Sequence, residues 1–240
     1  MLYHLTYMIS KILNYQITQK SALLMKMAGM ILFLVWNFHL ISAQDPLRFK
    51  DEADSLNRLQ IIQDNDKKII LFTGSSSIRM WGNITEYFPG RIIINTGFGG
   101  SHMSDLLFYL DRLVINYSPD QIIIYEGDND LADGKSPGKI LRDTRKVVRK
   151  IENALPEAQV ALISAKPSLA RWELKEEYIK LNQEYKEFAS MSDQVDYIDV
   201  WSYMLDGNGE PKKEIFLDDS LHMNKTGYDI WAEEIRKFIR

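Results

Sequence analysis

The tetrapeptide Asp219-Ser220-Leu221-His222 sets a carboxylate three residues before an imidazole, in a loop that opens a C-terminal helix. That spacing can lay the two side chains together. His222 is one of four histidines; His4 and His39 fall in an N-terminal leader, which leaves His102 and His222 as candidate bases. Far upstream, Gly74-Ser75-Ser76-Ser77 directly follows an apolar run, where an exposed nucleophile belongs. A serine hydroxyl is a poor nucleophile until a neighbouring base takes its proton. An imidazole with a pKa near ~6.5 does this at neutral pH and returns the proton to a leaving alkoxide. The two ends of the chain together imply a serine hydrolase.

Each motif alone has a plainer reading. Serines after a strand often cap a helix, and Ser75 could do so here. Gly97, Gly99 and Gly100 could form a tight turn or cradle a phosphate. Gly127-Asp128-Asn129-Asp130 could be a turn or an acidic calcium loop, although its ligand spacing is not that of an EF-hand. Asp219–His222 could be a capping loop with an exposed histidine. His102 has no aspartate placed to orient it locally and reads as a surface or substrate-edge residue. Trp81, Trp172, Trp201, Tyr125 and Tyr203 read as packing residues. Lys166-Pro167-Ser168, with Arg171 and Trp172 behind it, reads as a proline-terminated loop or a substrate contact. Asp105 and the basic segment 142–150 read as solvated faces.

The elements that must position these groups follow from the apolar pattern. Short continuous apolar runs at 69–73, 91–95, 121–125, 159–164 and 195–200 have the form of strands buried on both faces. Helical spacing recurs between them, at 103–116, 139–155, 173–191 and 225–239, and over 48–64 through Phe49, Ala53, Leu56, Leu59 and Ile62. Strands alternating with helices predict an α/β fold, a three-layer α/β/α sandwich on a flavodoxin-like five-stranded parallel sheet. In such sheets ligands bind beyond the carboxyl ends of the strands, where Gly74–Ser76, Asn95–Gly100 and Gly127–Asp130 all fall.

The bulk composition sets boundaries. Of 240 residues, 45% are hydrophobic and 26% charged, as in a globular protein. The formal charge of −4 gives no reason to expect nucleic acid or an anionic membrane as partner. The absence of cysteine excludes disulfides, thiolate nucleophiles and a lipid anchor on cysteine. Residues 1–44 read as a leader with a signal peptide at about 25–43. Its apolar run, Met27–Ile41, spans 15 residues behind Lys26, and Ile41-Ser42-Ala43 supplies the small residues of a cleavage site. That run is short of the about 20 residues that cross a bilayer, which favours cleavage over retention as an anchor. Met25 reads as an alternative start. The remaining residues, 45–240, form one domain.

Four blocks, in order, resemble those of the SGNH, or GDSL, hydrolase family. They are Phe72–Trp81, Asn95–Gly100, Gly127–Asp130 and Asp219–His222. The resemblance implies Ser76 as nucleophile, His222 as general base and Asp219 as the group orienting the imidazole. It also implies an oxyanion hole of the Ser76 N–H, the Gly100 N–H and the Asn129 side-chain amide. Ser75 departs from the family pattern, standing where the motif has Asp. Ser77 would be the nucleophile if the loop were one residue longer, but the Gly74-to-Trp81 spacing favours Ser76.

The chemistry so implied is hydrolysis of a carboxylic ester through an acyl-enzyme, with no metal or organic cofactor. The expected partner is a small-molecule or glycan ester, with acetyl on a carbohydrate favoured by analogy with exported, lidless members. The expected location is periplasmic or secreted, without stable membrane insertion after cleavage. The alternatives are a lipase- or thioesterase-type acylhydrolase, a glycan-binding domain on a drifted SGNH fold, and a flavodoxin-like cofactor binder.

Overall fold

The computed structural model describes residues 45–59, 64 and 66–240. The expected leader, its signal peptide and the Met25 start lie outside the described residues. The domain Pro46–Arg240 is built on five parallel strands: β1 (Ile69–Gly74), β2 (Ile92–Gly97), β3 (Gln121–Tyr125), β4 (Gln159–Ile163) and β5 (Val195–Ile198). Their order, β2-β1-β3-β4-β5, is that of flavodoxin-like sheets, as the sequence predicts. Register sets Gly74 level with both Gly97 and Tyr125, so three strand ends finish at one edge.

Alternation along each strand sends side chains into two cores. Leu71, Ile122, Ile124, Val160 and Leu162 pack with α1 (Lys50–Leu56), α4 (Met103–Leu113), α6 (Pro137–Ala154) and α7 (Lys175–Ala189). Ile70, Phe72, Ile123, Tyr125 and Ile163 pack on the other face with α2 (Ser76–Arg79), α3 (Ile84–Tyr87) and α8 (Lys225–Arg236). A further short helix, α5 (Asp128–Ala132), follows β3 at the edge where Gly74 and Gly97 end. The second core is aromatic: Trp81 stacks on Tyr228 at 5.0 Å, and both meet the wholly buried Trp231. A side chain of that size contributes about 3–5 kcal/mol when it is fully enclosed.

Several boundaries differ from the sequence expectation, each for a local reason. The helix expected over 48–64 is a 3-10 turn at Pro46–Phe49 followed by α1, which stops at Leu56. Phe49 and Ala53 exhaust its buried face, and Leu59 is exposed; residues 60–63 lie outside the description. α6 begins at Pro137 rather than 139, with Ser136 at the N-cap and proline at the first helical position, where its missing N–H costs nothing. β5 ends at Ile198 rather than 200, because the N–H groups of Val200 and Trp201 bond the Ser164 hydroxyl instead of a strand. α8 starts where Asn224 caps the Gly227 N–H.

Candidate active site

β1 ends at a residue that only glycine can supply. Gly74 has φ +129°, and a Cβ there would lie 2.0 Å from the Tyr125 carbonyl oxygen. The chain leaves the sheet at this point, with the Ser75 N–H bonded to that same oxygen at 3.0 Å. Ser75 is the N-cap of α2, although its side chain makes no capping bond. Ser76 is the first helical residue and is half-buried. Ser77 is buried, and its carbonyl takes the Tyr228 hydroxyl. Asn95 ties the end of α2 to β2, donating to the Ile78 carbonyl and accepting from the Gly97 N–H.

His222 arrives from the opposite end of the chain. Its Nε2 lies 3.0 Å from Ser76 Oγ and its Nδ1 2.5 Å from Asp219 Oδ2. A carboxylate only accepts, so Nδ1 carries the proton and Nε2 presents its lone pair to the serine hydroxyl. The other Asp219 oxygen, Oδ1, accepts the N–H groups of Leu221 (3.0 Å) and His222 (2.9 Å). Partial burial would raise the Asp219 carboxyl, but bonds from the His222 ring and these two N–H groups hold it down to about 2. The loop is shaped at Ser220, which adopts φ +58° and donates its N–H to the Leu217 carbonyl. A non-glycine residue in this conformation is a strain of about 1–3 kcal/mol, of a kind concentrated at functional sites.

The expected oxyanion donors stand on the other two strand-end loops. No residue among those described accepts the N–H of Ser76 or of Gly100. Arg48 holds the Gly100 carbonyl and also bonds Asp105. Asn129 donates from Nδ2 to the Ser101 carbonyl at 3.0 Å and accepts at Oδ1 from Arg171 at 3.1 Å. Because a guanidinium only donates, this contact fixes which end of the amide is nitrogen.

Next to Asn129, Asp128 is buried with two cations. Lys166 Nζ lies 3.2 Å from one oxygen and Arg171 2.5 Å from the other, and the Tyr125 and Tyr178 hydroxyls also donate to it. Burial works against its charge, yet these cations and donors hold the carboxyl well below the usual range. Burial in turn pushes Lys166 down, with Asp128 opposing. Asp130 is likewise buried, bonded to Lys135 and to the Met103 N–H. The acidic loop is thus neutralised by protein cations, and among the described residues no three His, Asp or Glu side chains converge as a metal site requires.

Three expectations are corrected here. His102 is buried, not at the surface, and lies near two aspartates: Asp133 at 3.0 Å and Asp105 at 3.7 Å. Burial pushes its pKa down. Asp105 is buried, not solvated, because at the start of α4 it accepts the His102 N–H. Lys166 stands in the loop after β4, as expected, and is enclosed there as the counter-ion of Asp128. Tyr203 is exposed rather than packed. Gly97 and Gly99 abut Arg79: a Cβ would lie 2.4 Å from its N and 2.2 Å from its guanidinium carbon. Sequence reasoning also missed Glu126 and Tyr178, and it named Asp128 without seeing it as a buried ion-pair partner; only the unusual density of acids after β3 marked the place.

The structure therefore brings Ser76, Asp219 and His222 into one hydrogen-bonded chain, with Asn129 on a neighbouring loop of the same edge. The chain belongs to the GDSL-like lipase/acylhydrolase family, whose pattern matches residues 73–230. The fold agrees with solved members of that group. A Streptococcus pneumonia protein provisionally described as a platelet activating factor shares 24% identity at a TM-score of 0.70, over 88% of this chain and 98% of that one. A GDSL-like lipase from Bacteroides thetaiotaomicron shares 20% at 0.65, over 81% and 98%. Two catalytic mutants of an acetylxylan esterase from Geobacillus stearothermophilus, one altered at a serine and one at a histidine, share 14% at 0.62, over 73% and 95%. At these identities the likeness is one of fold. No curated protein matches the sequence.

Proposed function

We propose that this hydrolase is a serine esterase that cleaves carboxylic esters through an acyl-enzyme. The observation that carries the reading is the 3.0 Å contact of His222 Nε2 with Ser76 Oγ, continued by the 2.5 Å contact of Nδ1 with Asp219. Ser76 Oγ attacks the ester carbonyl as its proton passes to His222 Nε2. Asp219 holds the productive tautomer and stabilises the imidazolium. The N–H groups of Ser76 and Gly100 and the Asn129 Nδ2 receive the oxyanion, each such donor being worth about 10²–10³ in rate. Collapse expels the alkoxide, which takes the proton from His222. Water then attacks the acyl-enzyme with His222 again as base, releasing the carboxylate and regenerating Ser76.

The favoured substrate is a short acyl ester, acetyl on a carbohydrate, a reading supported by the acetylxylan esterase among the structural neighbours. The protein acts outside the cytoplasm, as the apolar run Met27–Ile41 and the small residues after it suggest. Mass spectrometry of the mature N-terminus distinguishes cleavage from a retained anchor, and esterase activity confined to the cytoplasmic fraction would overturn that location.

The activity is tested by initial rates on p-nitrophenyl acetate, butyrate and octanoate for protein starting at Gln44, beside Ser76→Ala and His222→Ala. Turnover that falls with chain length, and falls by several orders of magnitude in both variants, is expected. Equal background rates in all three proteins, with no labelling of Ser76 by a fluorophosphonate, would overturn the reading in favour of a binding domain.

A further inference from the structure

The segment after β4 makes two contacts that a simple connecting loop does not require. Arg171 spreads its guanidinium across adjacent residues of α5, with Nη1 on Asp128 Oδ1 and Nη2 on Asn129 Oδ1. One residue earlier, the Ala170 N–H bonds the Ser220 carbonyl at 3.1 Å, in the strained loop between Asp219 and His222. A single stretch of chain thereby holds both the candidate oxyanion amide and the loop that presents the base.

We propose that Arg171 is a positioning residue that fixes and polarises the Asn129 amide for oxyanion binding; this rests on the esterase reading above. An asparagine amide has two nearly isosteric orientations, and only one turns its N–H groups toward an oxyanion. Arg171 is a pure donor, so its bond is compatible only with Oδ1 facing it. The 3.0 Å bond from Nδ2 to the Ser101 carbonyl uses one of the two amide hydrogens and leaves the second for the substrate. A cation on Oδ1 also draws electron density from the nitrogen, making that hydrogen a better donor to a developing negative charge.

Arg171 in turn is held by its geometry. Asp128, locked between Lys166, Tyr125 and Tyr178, receives one arm of the fork, which fixes the plane and direction of the other. A lysine cannot reproduce that fork, since one ammonium is a point charge while the guanidinium bonds two acceptors at once. With both terminal nitrogens engaged inside the protein, Arg171 acts on the transition state through Asn129 rather than by binding substrate.

The test is a double-mutant cycle between Arg171→Lys and Asn129→Ala. It is read by kcat and KM on p-nitrophenyl acetate, with active sites counted by fluorophosphonate and folding checked by Tm. Arg171→Lys keeps a charge for Asp128, which preserves folding while breaking the fork. In the wild-type background it is expected to lower kcat by about 10–100-fold, less than outright loss of a donor, with KM within about 3-fold. In the Asn129→Ala background the same change is expected to do almost nothing, because the group it acts through is gone. An equal loss of kcat in both backgrounds, or a rise in KM with kcat kept, would overturn the proposal while leaving the esterase reading intact. A wild-type protein with neither turnover nor labelling would overturn both.

Discussion

Asp219 grips His222 at both ends of the residue, with Oδ2 on the ring Nδ1 at 2.5 Å and Oδ1 on the backbone N–H at 2.9 Å. One carboxylate thus fixes the tautomer of the imidazole and the turn that carries it. Asp219→Asn keeps an oxygen for the backbone but loses the acceptor for Nδ1–H. It is expected to lower kcat by roughly 10²–10⁴-fold, the range of a general base, with little change in KM. Steady-state rates on p-nitrophenyl acetate check this. A loss of less than about 3-fold would remove Asp219 from the mechanism.

The same contacts bear on acid stability. The Asp219 carboxyl lies at about 2 in the folded protein, below its ordinary value of 3.8. A depressed carboxyl contributes stability above its unfolded value and loses it as pH falls through the folded one. The window is therefore about pH 4 down to 2. The Tm difference between wild type and Asp219→Asn should shrink as pH falls below 4. The effect is small, because Asp219 is half exposed.

Asp128 is the buried anion beside the site, and removing its charge strands two cations. Asp128→Asn is expected to cost about 3–5 kcal/mol in urea unfolding, the usual penalty for a buried ion left alone. Adding Lys166→Met should recover part of that loss, because the double variant buries one unpaired cation fewer. Additive losses would show that Lys166 does not depend on Asp128.

What the sequence shows and what it hides divide along chain distance. The five strands and the meeting of three glycine-bearing ends were legible because each rests on a local apolar run, and register then sets Gly74, Gly97 and Tyr125 level. Ser76, Asp219 and His222 stood out because motif order singled them out. Lys166 and Arg171 were visible only as a loop after β4. Their partner Asp128 lies about forty residues upstream, and no periodicity links residues 38 and 43 positions apart. His102 and Asp105 misled for the opposite reason: polar residues at a helix start look solvated until the loop folded over them is seen.

The turn at Gly74 gives a steric prediction. An alanine Cβ would lie 2.0 Å from the Tyr125 oxygen at φ +129°, whereas at Gly90, φ +80°, nothing lies within 4 Å. Gly74→Ala should therefore cost roughly 3 kcal/mol or more, from overlap and strained backbone together. Gly90→Ala should cost only the left-handed penalty, about 1–2 kcal/mol. Equal losses in urea unfolding would mean that the β1–β3 approach at Gly74 is looser than this geometry.

Glu126 lies beneath the loop of Gly100, and its surroundings imply that it holds a proton. The Ser101 hydroxyl is 2.6 Å from Glu126 Oε1 and 3.0 Å from the Phe98 carbonyl, but one hydroxyl has one hydrogen. Both contacts are satisfied if Glu126 donates to Ser101 and Ser101 donates to Phe98. Burial, and then the nearby Asp130, push the carboxyl well above its ordinary range, in agreement with that arrangement. For a raised carboxyl the sign is opposite to that of Asp219. Below about pH 4 both folded and unfolded chains hold the proton; above it the unfolded chain ionises while the native one resists, so wild-type stability falls as pH rises. Glu126→Gln does not titrate. Its stability relative to wild type should be flat below pH 4 and should increase above pH 4 until the folded carboxyl itself ionises. Chemical unfolding of both proteins across pH 4–8 measures this, and a difference independent of pH would mean that Glu126 is already ionised in the folded state.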